Sequence, residues 1–228
     1  MKVIILSAGM GKRFRRINLP KSLTLLSSGE SILDLQIRTL SQFISPHQII
    51  IVSGYRKEKL IESHPDLLYV YSPNYERENT SKSLLRAIYK LDNEDLLWVN
   101  GDVIFHPEAL KALLSNRTKN SMVVNIASVG DEEVKYRTNS KGRILEVSKT
   151  VKEAQGEALG INFFQASDLE SLKMNLERCQ DDAYFEKAVE MCIEEGIPVW
   201  AVPVNPLHCT EIDFPEDLDR ANQLMQQW

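Results

Sequence analysis

The sequence predicts an α/β fold: a predominantly parallel sheet flanked by helices. Three observations carry this. Short apolar runs at residues 2–6, 48–53, 67–71 and 96–99 read as strands, and Ile49-Ile50-Ile51-Val52 is unbroken, as suits a strand covered on both faces. Helical stretches separate them, and β-α-β alternation implies parallel pairing with right-handed crossovers. The first strand also runs into a loop of small residues, Ser7-Ala8-Gly9-Met10-Gly11, at the end of the sheet where α/β proteins bind ligands.

Taken in order, residues 31–43 form a helix with Ser31 as N-cap and a stripe of Ile32, Leu35, Leu40 and Phe43. Gly54-Tyr55 ends the second strand, and a short polar helix covers 56–63. After the third strand a polar loop, 72–84, enters a helix over 83–91 whose Asn-, Ser- and Thr-rich start can cap it. The fourth strand ends in Asn100-Gly101-Asp102. Pro107 opens a helix over 107–114, and 121–128 reads as a strand. Residues 131–148 read as a hairpin turning at 139–142, a departure from simple alternation. A strand at 156–164 and helices at 167–178 and 184–195 follow, the second closed by Gly196. Pro203 places the strand over 199–204 at a sheet edge or makes it end there. Pro215 opens the last helix, with acids at its positive end.

The bulk properties narrow the function. At 228 residues and 43% hydrophobic composition the chain can bury one sizeable core. A net charge of −5 with pI ≈ 5.5 argues against nucleic-acid and membrane-surface roles. Cys179, Cys192 and Cys209 have no CxxC spacing, so buried thiols in a reducing cytosol are expected rather than disulfides or zinc. No apolar run approaches the roughly 18 residues that span a bilayer, and a cytoplasmic protein is expected.

The chemistry concentrates at the first loop. Glycines let backbone N–H groups approach phosphate oxygens, and Lys12, Arg13 and Arg15 follow within a few positions. Arg13 can fork onto two phosphate oxygens, and Lys21 in Pro20-Lys21-Ser22-Leu23 supplies a compact charge. Neither GxxxxGK[ST] nor GxGxxG is present, and Gly-x-Gly alone also marks ordinary tight turns. Asp102, just past a central strand, would repel a triphosphate unless a divalent cation such as Mg²⁺ lay between them.

The combination of strand, AGxGKR and Pro-Lys resembles the N-terminal signature of the nucleotidyltransferases that activate sugar phosphates and alcohol phosphates. Further matches are Asn79-x-x-x-Ser83-Leu84, Gly101-Asp102, Gly156-Glu157-x-x-Gly160-Ile161 and the segment EIDFPEDLDRA from Glu211 to Ala221. Within that superfamily the chain is most similar to the small phosphocholine and phosphonate cytidylyltransferases. The resemblance implies a Rossmann-like fold of the nucleotide-diphospho-sugar transferase type. It also implies a single domain over 1–228, with 130–165 as an acceptor-side subdomain. The activity implied is Mg²⁺-dependent transfer of CMP from CTP to a small phosphorylated alcohol or phosphonate, such as phosphocholine or 2-aminoethylphosphonate.

By the same resemblance Arg13 holds the β- and γ-phosphates, and Lys21 bridges the α-phosphate and the acceptor oxygen. Ser7, Ala8, Gly9, Gly11, Lys12 and Gly101 cradle the nucleotide, with Asn79 and Ser83 beside base and ribose. Asp102 and Asp213 hold Mg²⁺, and Lys149, Glu157 and Gly160 line the acceptor pocket. A choline would ask for an aromatic cage, for which Tyr75, Tyr136, Phe163 and Trp200 are available. The sequence departs from the pattern in the short gap from Arg13 to Pro20 and at Cys209-Thr210, where an aromatic often stands. Sugar-1-phosphate transfer with UTP or dTTP stays open. A glycosyltransferase would want D-x-D, and Asn100-Gly101-Asp102 lacks the first aspartate. A non-catalytic nucleotide-binding module would not need Arg13, Lys21, Asp102 and Asp213 together. The partners expected are CTP and the acceptor, with no nucleic acid or membrane, and a homodimer is left open.

Overall fold

A computed structural model describes the chain except residues 15–17, 116, 127–129 and 131–132. Arg15, the end of the strand expected over 121–128 and the start of the segment 131–148 therefore lie outside the described residues. The elements are β1 (Lys2–Ser7), α1 (Ile32–Leu40), β2 (Ile49–Ser53), α2 (Lys57–Ser63), β3 (Leu68–Tyr71), α3 (Thr80–Ile88), β4 (Leu96–Asn100) and β5 (Val103–Phe105). They continue with α4 (Pro107–Ser115), β6 (Asn120–Val124), β7 (Lys135–Thr138), β8 (Ile144–Ser148), β9 (Gly156–Phe164), α5 (Ala166–Arg178), α6 (Phe185–Glu194), β10 (Val199–Pro203), β11 (Cys209–Glu211) and α7 (Pro215–Met225).

The main sheet runs β10-β6-β9-β4-β1-β2-β3. β3, β2, β1 and β4 are mutually parallel, and β9 lies antiparallel between β4 and β6, so the sheet is mixed but predominantly parallel. The chain leaves β1 toward β2 on one side and returns to β4 on the other. The crevice past the ends of β1 and β4 is thus the topological switch point where α/β folds bind ligands. Alternate side chains of β1 serve opposite faces. Ile4 packs with Trp98, Phe164 and Phe185, and Val3 and Ile5 with Ile51, Val99 and Phe163. Trp98 is fully buried, with its ring centroid 5.5 Å from both Phe164 and Phe185.

Local sequence explains most boundaries. Ser31 caps α1 through a capping box with Asp34. The helix ends before Phe43, which is 39% exposed rather than part of the buried stripe, while Gln36 and Thr39 are buried. α3 starts at Thr80 instead of 83, because the Asn79 side chain accepts from the Thr80 amide at 2.8 Å and so sets the cap. β10 is the sheet edge and ends at Pro203, as that residue requires. The three cysteines are buried free thiols. Among the described residues no helix is long and apolar enough to cross a membrane.

A short ribbon did not register in the sequence pattern. β5 and β11 pair antiparallel, with Glu211 opposite Val103, and the Ile212 amide donates to the Asp102 carbonyl at 3.0 Å. At three residues each, these strands are too short to show a periodicity.

Candidate active site

The ribbon brings together two aspartates that stand far apart in sequence. A cleft of about 430 Å³ opens over the ends of β1 and β4. Its floor is Ser7, Gly9, Gly11 and Gly101, and its walls carry Lys12, Arg13, Lys21, Asn79, Asp102 and Asp213. Lys21 donates to Asp102 Oδ2 at 2.9 Å and to Asp213 Oδ1 at 2.6 Å. Arg13 Nη2 lies 3.1 Å from Asp213 Oδ2, with its guanidinium 5.6 Å from the centre of the Phe214 ring. Burial alone would lower the Lys21 pKa, but the charges and hydrogen bonds of Asp102 and Asp213 outweigh it and hold the ammonium above its ordinary value.

Local structure fixes each of these groups. Lys21 opens a short 3-10 turn after Pro20, and its neighbour Ser22 is tied by its hydroxyl to the Ser7 hydroxyl at 2.5 Å, pinning the turn to the end of β1. Asp102 follows the β4 terminus through Gly101, where backbone and backbone approach closely: an added Cβ would stand 2.7 Å from the Leu6 carbonyl. The Asp213 and Phe214 amides both donate to Asp217 Oδ2, the first-turn acid of α7.

Five residues expected at the ligand, Ala8, Ser83, Lys149, Glu157 and Gly160, do not line the cleft. Ala8 is 4% exposed, and its carbonyl accepts from the Tyr55 amide as β1 and β2 diverge. Ser83 lies one turn inside α3, buried with its hydroxyl 3.4 Å from that of Ser72; the earlier helix start turned it toward the sheet. Gly160 is buried in β9 at φ +64, with Asn100 Nδ2 2.5 Å from where its Cβ would be, so it makes room for Asn100 rather than for a ligand. Glu157 sits behind the cleft, accepting from Asn125 Nδ2 at 3.0 Å, within electrostatic range of Asp213. Lys149 stands 4.9 Å from the ring centre of Tyr184, a residue of the cleft wall.

Two carboxylates, Glu211 and Glu186, have strongly raised pKa values that no sequence signature marks. Glu211 lines the cleft, and burial first, then Asp102, Glu157, Asp213 and Glu186, push it well above the usual carboxylate range. Glu211 ends a strand of three residues, too short for alternation to mark it. Glu186 is 6% exposed, its Oε2 has no hydrogen-bond partner, and burial pushes it up to about 7. In sequence it resembles any first-turn helix acid, so nothing marked it.

The donor set suits a hard divalent cation. Asp102 and Asp213 are close enough for one ammonium nitrogen to touch both, and Mg²⁺ takes one or two protein carboxylates together with phosphate oxygens. Among the described residues there is no group of three or more His, Cys, Asp or Glu that could hold a metal ion, so most ligands would come from nucleotide and water.

A glycine-floored cleft at the switch point of a Rossmann-like sheet, with cations facing paired aspartates, defines a nucleotidyltransferase. The chain belongs to the MobA-like NTP transferase domain family, whose model matches residues 3–178. It is 24% identical over 239 residues to the UTP–glucose-1-phosphate uridylyltransferase AglF of Haloferax volcanii, spanning 100% of this chain and 97% of that protein. It is 28% identical over 214 residues to the bifunctional protein GlmU of Ralstonia pickettii, covering 87% of this chain and 46% of GlmU. Among solved structures, the inositol-1-phosphate CTP transferase from T. maritima superposes with a TM-score of 0.81 at 19% identity, over 99% of this chain and 95% of that one. The CTP:phosphocholine cytidylyltransferase LicC of Streptococcus pneumoniae superposes with a TM-score of 0.79 at 21% identity, covering 98% of each chain.

Proposed function

We propose that this protein is a cytoplasmic, Mg²⁺-dependent cytidylyltransferase that moves CMP from CTP to a small phosphorylated alcohol or phosphonate, releasing pyrophosphate. The reaction forms a bond between an acceptor phosphate or phosphonate oxygen and the α-phosphorus, and breaks the bond from that phosphorus to the β-phosphate bridging oxygen. Such in-line transfer rests on positioning and charge neutralisation, not on a protein nucleophile. Backbone amides of Ser7 to Gly11 hold the phosphates, and Asn79 the base and ribose side. Arg13 neutralises the departing pyrophosphate, and Lys21 steadies the α-phosphate against the incoming oxygen. Asp102 and Asp213 would hold Mg²⁺, which supplies charge stabilisation when bound. The segment 130–165 supplies the acceptor side, with Lys149 at its rim.

One observation carries the choice of acceptor. Glu211 on the cleft wall is pushed toward the neutral form by burial first and then by the charges of Asp102, Glu157, Asp213 and Glu186, which marks a carboxylate-rich flank. An acceptor with a fixed cationic group, aminoalkyl or trimethylammonioalkyl, would relieve that repulsion, whereas a sugar 1-phosphate has no cation to offer. The two cytidylyl-transferring structural neighbours support the nucleotide. The relative AglF favours a second reading, a uridylyltransferase acting on a sugar 1-phosphate. The test is pyrophosphate release with Mg²⁺, crossing CTP, UTP, dTTP, ATP and GTP against phosphocholine, 2-aminoethylphosphonate and glucose 1-phosphate. Turnover with CTP and a cationic acceptor is expected; turnover with UTP and glucose 1-phosphate instead would replace the proposal by the second reading.

A further inference from the structure

The cleft carries its own cation at the point where its two aspartates converge. Lys21 Nζ contacts Asp102 Oδ2 at 2.9 Å and Asp213 Oδ1 at 2.6 Å, and Arg13 contacts the other Asp213 oxygen at 3.1 Å. These two cations and two carboxylates cancel. The Lys21 side chain is only 12% exposed, while Asp102 and Asp213 are 28% and 27% exposed to the cleft. We propose that Lys21 excludes a free divalent cation from the Asp102–Asp213 pair, so that metal is admitted with the nucleoside triphosphate and not before it. This rests on the reading of that pair as the metal ligands.

The argument is one of charge and space. A divalent ion set between the two carboxylates would meet the ammonium that already touches both, and would leave four positive charges facing two negative ones. Like charges at contact range are disfavoured. A triphosphate changes both terms. Its oxygens offer Nζ and the Arg13 guanidinium new acceptors, drawing them off the aspartates, and a metal–triphosphate complex carries the negative charge that restores balance. Lysine suits the exchange, because its compact ammonium on a flexible four-carbon stem can swing from carboxylate to phosphate. Lys21 thus acts in two successive places: as a counter-ion in the free protein and as a phosphate ligand in the loaded one.

The probe is Mn²⁺, with the free ion followed by electron paramagnetic resonance in nucleotide-free protein. Lys21→Met is expected to bind Mn²⁺ at least tenfold more tightly than the wild type. Lys21→Arg, which keeps the charge, should stay as weak as the wild type, and Lys21→Met/Asp213→Asn should lose the gain. Thermal melts check folding, and Lys21→Gln is a second neutral variant carrying the same expectation. Equal Mn²⁺ affinity of wild type and both neutral variants without nucleotide, whether tight or weak, would overturn the inference while leaving the metal site standing. A separate arm adds α,β-methylene-CTP and reads water-proton relaxation by Mn²⁺ in the ternary complex. Wild-type relaxation in Asp102→Asn/Asp213→Asn would show that the pair is not the metal site, and would overturn the underlying reading together with the inference.

Discussion

Replacing Gly101 by alanine probes how the ends of β1 and β4 fit together beneath the nucleotide cleft. The Gly101 amide donates to the Leu6 carbonyl at 2.9 Å. An alanine Cβ would stand 2.7 Å from that oxygen and 3.2 Å from the Cα and Cβ of Ser7. Gly101 does not occupy the left-handed region, so space alone, not backbone conformation, demands glycine. The strand ends must part by roughly 0.7 Å to restore the 3.4 Å of ordinary contact, and the obstacle is backbone that cannot rotate away. Overpacking of this kind costs about 1–3 kcal/mol, and weakening the shared hydrogen bond adds about 1 kcal/mol. For a domain of this size that corresponds to a fall in Tm of about 5–15 °C. The displaced atoms belong to Leu6, Ser7 and the residue before Asp102, all at the floor of the cleft. A shift approaching 1 Å there costs on the order of 10²-fold in turnover. Thermal unfolding and pyrophosphate release measure the two effects on the same preparation. Gly101→Ala with wild-type Tm and wild-type turnover would refute the close approach and the placement of the cleft above it.

Other substitutions separate chemistry from scaffold. Lys21→Ala or Asp102→Ala should each reduce kcat by about 10³-fold or more, the scale of losing a main charge-stabilising group, with near-native circular dichroism; wild-type kcat in either would remove that residue from the mechanism. Asn79→Ala loses the α3 cap, and with it the Asn79 Nδ2 bond to the Asp182 carbonyl at 3.2 Å, so urea unfolding should report a loss of about 1–2 kcal/mol. For Glu186, whose carboxyl burial raises from 4.5 to about 7, the folded protein holds the proton more tightly than the unfolded chain. Its contribution to stability is fully present below pH 4.5 and is lost as the pH rises through 7. Glu186→Gln should therefore flatten the decline of stability between pH 5 and 8 by on the order of 2–3 kcal/mol. Parallel urea midpoints for both proteins across that range would refute the buried-carboxyl assignment.

Local sequence signals account for the scaffold and the phosphate loop. Unbroken apolar runs are a local signal, because a strand covered on both faces needs every side chain apolar; hence β1, β2 and β4 stand where the runs lie. Glycine spacing and the cations after it are equally local, and Gly9, Gly11, Lys12, Arg13 and Lys21 all line the cleft. Caps were less legible, since several Asn, Ser and Thr residues competed for one helix start; Asn79 won, and the phase of α3 then turned Ser83 inward. The meeting of Asp102 with Asp213 was implied by the family resemblance, but no local pattern in the chain shows it. It depends on a three-residue ribbon, β5 with β11, pairing segments about a hundred residues apart, and no periodicity can accumulate over so short an element. Burial of Glu186 and Glu211 lay beyond the sequence for the same reason: the desolvation that raises a carboxyl comes from atoms that long-range packing delivers.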